Sequence, residues 1–173
     1  MRNIVLIGMP ACGKSTIGVL LAKSLGFEFI DTDLIIQKQE GRLLQEIIDA
    51  DGLDAFCIAE ERAILSVTEE SNAIVATGGS AVYSRTAMLH LKRHGLVYYL
   101  ELPEKEIEKR LYNITSRGIA MRRGETIEEV FARRRALYEE YGDIRVDCGG
   151  RTMEEIVAEI TACHRAAELT QPK

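Results

Sequence analysis

Two rhythms of apolar residues alternate along this chain. Residues 3–8 (NIVLIG) form a short, nearly continuous apolar run, the pattern of a strand covered on both faces. A glycine-rich turn follows. Ile17, Leu20, Leu21 and Leu25 then recur at helical spacing, with Gly26 placed to end that helix. Residues 27–30 restart an apolar strand that stops at Asp31-Thr32-Asp33. The spacing predicts helices over residues 34–50, broken at Gly41, and over 53–68. Strands are predicted at 73–76 and 96–102, separated by a helix over 84–94 that Gly95 closes. Pro103 suits the first turn of a helix reaching residue 112. Thr126 with Glu129, and Thr152 with Glu155, have the capping-box spacing that opens a helix on each side of a fifth strand at 144–148.

Strands alternating with helices of this length predict an α/β fold with a parallel sheet covered on both sides. Neither repeat nor linker interrupts the pattern, so residues 1–173 read as one domain, long enough to bury a single core. The net charge of −5 supplies no overall basic field, and nucleic acid is not an expected partner. No apolar run approaches the roughly 18–20 residues of a membrane span. The apolar stretch after Asn3 is too short for a signal peptide. Cys12, Cys57, Cys148 and Cys163 form no C-x-x-C pair and no zinc spacing, which suits a reducing compartment; a cytoplasmic monomer is expected.

The strongest chemical signal lies between the first strand and the first helix. Gly8-Met9-Pro10-Ala11-Cys12-Gly13-Lys14-Ser15 fits G-x-x-x-x-G-K-[ST] at every fixed position. Glycines let backbone N–H groups converge on phosphate oxygens, and the helix that follows adds unpaired amides and its dipole. Gly8, Ala11, Cys12, Gly13, Lys14, Ser15 and Thr16 are the expected nucleotide-binding set. Lys14 is expected to reach the β- and γ-phosphates of ATP, and the Ser15 hydroxyl to ligate Mg²⁺. Cys12 is either a small filler in that loop or a thiol activated by the helix N-terminus.

Other residues converge on the same sheet edge. Asp31 and Asp33 close a strand, and a period of two sends both side chains the same way, into the crevice at the strand ends. One could hold Mg²⁺ through water and the other accept a proton from an attacking hydroxyl; alternatively, Asp33 caps the next helix. Thr77-Gly78-Gly79 ends another strand, where two glycines allow close backbone approach to a ligand and Thr77 can bond a metal-bound water. Arg134 falls within the apolar stripe Ile127, Val130, Phe131, Leu137 and Tyr138, so it needs an anion inside or a way to snorkel out. Glu60 interrupts the stripe Leu53, Phe56, Ala63, Ile64 and Val67, and could be the structural partner of Arg134. Residues 113–124 lack apolar periodicity and carry Arg117, Arg122 and Arg123, as a basic lid would. His90 and His94 share a helix face, but no carboxylate completes a metal site there.

Taken together, the run GMPACGKSTIG, then FIDTD, then TGG, a lid arginine, and RRALY at 134–138 resemble the shikimate kinase family, from Asn3 to about Ile160. The resemblance implies a P-loop kinase fold of the nucleoside-monophosphate-kinase type, with a five-stranded parallel sheet ordered 2-3-1-4-5 and acceptor-binding helices over about 33–68. It implies a small hydroxylated acceptor, with Asp33 as base, Asp31 supporting Mg²⁺ through water, and Arg134 on the acceptor carboxylate. Gly78 and Gly79 would border the acceptor. Arg117 would bind the transferring phosphate, while Arg110 packs on adenine with Arg151 nearby.

Three positions depart from the family pattern. The usual Phe-Arg, whose arginine binds the shikimate carboxylate, is Phe56-Cys57; the usual Gly-Gly-Gly is Gly78-Gly79-Ser80; and Arg-Pro-Leu-Leu in the lid is Arg117-Gly118-Ile119-Ala120. A cysteine supplies no cation, and Arg62 is one helical register away. Two acceptors are therefore carried forward: shikimate, or another small polyol or hydroxy acid such as gluconate.

Overall fold

The computed structural model describes residues 2–68, 72–112, 120–122 and 124–169. In chain order its elements are β1 (Asn3–Ile7), α1 (Lys14–Leu25), β2 (Glu28–Asp31), α2 (Thr32–Glu40), α3 (Leu44–Leu65) and β3 (Ala73–Ala76). A single 3-10 turn (Ala81–Tyr83) follows, then α4 (Arg85–His94), β4 (Gly95–Glu101), α5 (Glu104–Tyr112), α6 (Ile127–Tyr141), β5 (Ile144–Asp147) and α7 (Met153–Leu169).

The five strands form one parallel sheet in the order β2-β3-β1-β4-β5, as the resemblance implied. β1 is buried along its whole length because both faces of its apolar run are covered. It pairs with β3 on one side, Ile4 beside Ile74, and with β4 on the other, Val5 beside Val97. The sheet thus grows in opposite directions from β1, and such a switch point opens a crevice beyond the carboxyl ends of the central strands.

The main core fills the space between sheet and helices. Ile4, Leu6, Ile7, Ile17, Leu21, Ile74, Val97 and Leu100 are essentially inaccessible, each contributing about 1.5–3 kcal/mol of transfer free energy. A smaller cluster of Ile36, Ile47, Phe56, Ala59, Ala63 and Ala120 packs separately beneath α2 and α3, holding that helical pair beside the crevice. Gly18 in α1 lies so close to β2 that a Cβ there would be 2.5 Å from the Phe29 ring. Among the described residues no helix is long and apolar enough to cross a membrane.

Helix boundaries follow cap chemistry. Gly26 ends α1 in the left-handed conformation, φ 70°, and Gly41 does the same for α2. The break expected between 50 and 53 is a kink within α3 at Gly52, φ 84° and ψ 172°. The capping box of Thr126 and Glu129 is formed at α6, and Thr152 and Glu155 exchange bonds ahead of α7. Pro103 precedes α5, its carbonyl accepting from the amides of Glu106 and Ile107.

One boundary corrects the sequence reading. α2 begins at Thr32, and its cap is Asp31, whose side chain accepts from the Asp33 amide at 3.0 Å. Asp33 is neither the cap nor part of the strand. The strand ends one residue later than its apolar run suggests, at an aspartate able to turn the chain into a helix.

Candidate active site

A cavity of about 470 Å³ opens at the crevice, bordered by the loop between β1 and α1, the start of α2, the residues after β3, and one side of α6. The first wall is the phosphate motif. Gly8 has φ 147°, and a Cβ there would be 2.6 Å from the Leu100 carbonyl oxygen, so no side chain fits. Gly13 has φ 105°, precedes α1 and offers no side-chain cap, leaving the first amides of that helix for another acceptor. Lys14 Nζ donates to the carbonyls of Gly8 at 2.7 Å and Met9 at 2.8 Å. Ala11, Gly13, Lys14, Ser15 and Thr16 all line the cavity, whereas Cys12 turns inward and is buried. Its sulfur lies 3.7 Å from the Lys14 ammonium, within the loop's own packing.

Ser15 and Asp31 meet at the next corner, where the serine hydroxyl donates to Asp31 Oδ2 at 2.8 Å. One hydroxyl and one carboxylate are hard oxygen donors, the kind Mg²⁺ takes from a protein while phosphates and waters complete its shell. Asp33 also lines the cavity. Its carboxylate arrives there from the first turn of a helix rather than by strand alternation, so the expected juxtaposition holds for a different reason. Thr77, buried at the end of β3, gives its hydroxyl proton to the Leu6 carbonyl at 3.0 Å and keeps its lone pairs.

The far wall is built around two buried ions. Arg134 is fully inaccessible and does not snorkel out. Its Nε donates to the Tyr83 hydroxyl at 3.0 Å, its Nη2 donates to the Ala120 carbonyl, and its Nη1 is buried without a hydrogen-bond partner among the described residues. Tyr138, one turn along α6, donates its hydroxyl to the Gly79 carbonyl at 2.6 Å and so fixes the glycine pair against this helix. Glu60 is not ion-paired with Arg134, contrary to the reading from the apolar stripes. Ser80 donates to Glu60 Oε2 at 2.6 Å, because the turn after β3 brings that hydroxyl between the two helices.

The remaining predicted residues divide. Arg110 lines the cavity and donates to the Ala11 carbonyl at 3.2 Å, beside the phosphate loop. Arg151 lies outside the lining residues, held by Glu159 and by the carbonyls of Asp147 and Glu155; a nucleotide contact would require exchanging those bonds. Arg62 is on the surface beside Glu40. Cys57 is half-buried; burial, then the charge of Glu60, pushes its thiol up to about 11, so it is a neutral group. Arg117, Gly118 and Ile119 of the expected lid, with Arg123, lie outside the described residues, and Arg122 is exposed. His90 meets the Val67 carbonyl at 3.0 Å and stacks edge-on with His94.

Tyr83 and Ala120 are the supporting residues that the sequence reading missed. No periodicity marks a one-turn helix such as Ala81–Tyr83, and Ala120 acts through its backbone carbonyl. Ser80 was noted only as a departure from a glycine.

Comparison with known proteins agrees with this geometry. The family model described as shikimate kinase matches residues 10–165. A shikimate kinase of Thermodesulfovibrio yellowstonii is 37% identical, across 92% of this chain and 93% of its own. One of Geobacter metallireducens is also 37% identical, across 93% of this chain and 90% of its own. Among solved structures, the shikimate kinase of Acinetobacter baumannii in complex with shikimate superposes with a TM-score of 0.89 at 26% identity, covering 98% of this chain and 96% of that one. With the P-loop, the sheet order and the matched length in agreement, this chain belongs to the shikimate kinase family.

Proposed function

We propose that this chain, acting as a single cytoplasmic domain, transfers the γ-phosphoryl group of ATP to a hydroxyl of shikimate. The observation that carries the reading is convergence: the phosphate loop, Asp33 and Arg134 all line one cavity, and Arg134 Nη1 has no hydrogen-bond partner among the described residues. Phosphoryl transfer needs positioned phosphates, a group that accepts the hydroxyl proton, and a hold on the acceptor.

The roles follow from that arrangement. Amides of the loop and of α1 cradle the phosphates, and the Lys14 ammonium leaves the Gly8 and Met9 carbonyls for phosphate oxygens. Asp33 orients the acceptor hydroxyl and takes its proton. Arg134 is anchored through Nε and Nη2, so its Nη1 stays directed at the acceptor carboxylate. Ser15 and, through water, Asp31 would hold Mg²⁺, which when bound neutralises phosphate charge. Arg110 flanks the nucleotide on the loop side, and the family resemblance gives Arg117 the role of binding the transferring phosphate. Gly78 and Gly79 would border the acceptor ring; a Cβ on Gly79 would meet Pro10 at 2.7 Å and Arg134 Nη1 at 3.0 Å, so the backbone packs this closely only as glycine.

The direct test is ADP release with Mg-ATP and shikimate, alongside gluconate and a panel of small hydroxy acids. Shikimate-dependent release is expected; release with gluconate alone would overturn the substrate assignment. Cys57 supplies a second test. The pocket lacks the cation that the family usually places there, and a hydrogen bond to a charged group contributes roughly 1.5–3 kcal/mol. Cys57→Arg is therefore expected to lower the KM for shikimate about ten- to a hundredfold. An unchanged KM would mean that another group already serves the carboxylate.

A further inference from the structure

Glu60 lies behind the cavity lining, against Gly78 and Ser80, and the transfer chemistry leaves it unused. It is 1% exposed, and only one of its oxygens, Oε2, is satisfied, by Ser80. Oε1 is buried with no hydrogen-bond partner among the described residues. That oxygen faces the Gly78 backbone, 2.1 Å from where a Cβ would stand, and Asp33 Oδ1 lies 3.1 Å from the same point. Two carboxyl groups therefore flank one glycine in a wall largely closed to solvent. On the other side of the glycine pair, Arg134 Nη1 is equally buried and equally without a partner.

Among the described residues the groups facing Glu60 are Asp33 from α2, Arg134 from α6, Lys14 from α1, Ser80 after β3, and Cys57 one turn earlier on α3. Charge counting among those at the acceptor end shows what is at stake. Asp33 must be an anion to take a proton, Arg134 is a cation, and Cys57 is neutral. Among Asp33, Arg134, Cys57 and Glu60, a neutral Glu60 leaves no net charge, and an acceptor carboxylate does not compete with Glu60 for Arg134. An ionised Glu60 gives the same four residues a net negative charge, in surroundings that screen it poorly. Glu60 is poised between these states. Burial first, and the Asp33 charge with it, push its carboxyl up to about 7 against the Ser80 hydrogen bond and the charges of Arg134 and Lys14.

We propose that Glu60 is the positioning residue that decides which acceptors the pocket takes: it carries a proton while an acidic acceptor is bound, and once ionised it draws on Arg134 and repels the acceptor's carboxylate. The proposal rests on the reading above that the acceptor is a carboxylic acid held by Arg134. It adds a pH-dependent filter that a neutral polyol would not meet.

The test is calorimetric binding of shikimate without nucleotide, from about pH 6 to 8.5, with the carboxyl carbon of Glu60 followed by carbon-13 NMR in the same protein. If only the protonated form binds, the apparent Kd of the unaltered chain rises about tenfold between pH 6 and pH 8. Glu60→Gln, which keeps an oxygen for Ser80, is expected to flatten that rise. Ser80→Ala removes the bond that favours the carboxylate and is expected to move the rise to higher pH. A rise that persists in Glu60→Gln, or a Glu60 midpoint below about pH 6, would overturn the proposal; the NMR titration decides even if Glu60→Gln does not fold. Should shikimate fail to bind at any pH, the substrate assignment falls. The profile is then read with gluconate, where a flat Kd across a Glu60 midpoint near 7 counts against the filter and a rise supports it.

Discussion

Asparagine in place of Asp33 is expected to lower kcat by about 10²–10⁴-fold, the range over which a positioned general base contributes. The substitution keeps size and shape at the first turn of α2, and the Asp33 backbone amide stays on the Asp31 carboxylate. An amide cannot take the proton of an attacking hydroxyl, so the transfer step loses its acceptor while the cavity keeps its walls. Nucleotide affinity is expected to stay within about twofold, because the substitution leaves the proposed nucleotide contacts, the loop amides and Lys14, in place. Steady-state turnover with a parallel ADP-binding titration separates the two effects. Turnover close to that of the unaltered chain would remove Asp33 as the base, and a matching loss of ADP affinity would make its role structural. A side effect ties this variant to Glu60: the Asp33 charge is one cause of the raised Glu60 carboxyl. Removing it is expected to move the Glu60 midpoint down, visible in the same carbon-13 titration.

What the sequence disclosed and what it withheld divide along a physical line. The phosphate loop was legible because its geometry is local: Gly8 and Gly13 sit at positive φ within a few residues of the lysine they position. The sheet was legible because strands buried on both faces, such as Asn3–Ile7 and Ala73–Ala76, carry unbroken apolar runs. Arg134 and Glu60 could be recognised as buried ions, since each interrupts an apolar stripe. A stripe reports depth and says nothing of the neighbour across the gap. The partner of Glu60 is Ser80, twenty residues on, and the anchors of Arg134 are a hydroxyl on a one-turn helix and a backbone carbonyl. Arg151 shows the same limit: its place near the nucleotide is implied by the family resemblance alone, while its guanidinium is held by Glu159 and neighbouring carbonyls. At Asp31 and Asp33 the cap offered as an alternative for Asp33 belongs to Asp31, because two aspartates spaced by two offer alternative starts for one helix.

Lysine at position 134 is expected to raise the KM for shikimate about ten- to a hundredfold and not to act as a conservative change. The guanidinium divides its donors. Nε is committed to Tyr83 and Nη2 to Ala120, which leaves Nη1 for the acceptor. A rigid fork can anchor on two groups and present a third donor; an ammonium on a flexible stem is a point charge that must choose. If lysine stays with Tyr83 and Ala120, the carboxylate loses a charged hydrogen bond worth roughly 1.5–3 kcal/mol, which sets the expected KM change. Methionine tests the structural share. It fills the volume but leaves the Ala120 carbonyl with its bond removed, at a cost of about 1–3 kcal/mol for a buried polar group. A loss of that size lowers Tm by several degrees. The Arg134 charge also holds the Glu60 carboxyl down, so in Arg134→Met the Glu60 midpoint is expected to climb above about 7. Equal KM values for arginine and lysine would show that the fork geometry is irrelevant to the acceptor. A Glu60 midpoint unmoved in Arg134→Met would show that the two buried ions do not share one field.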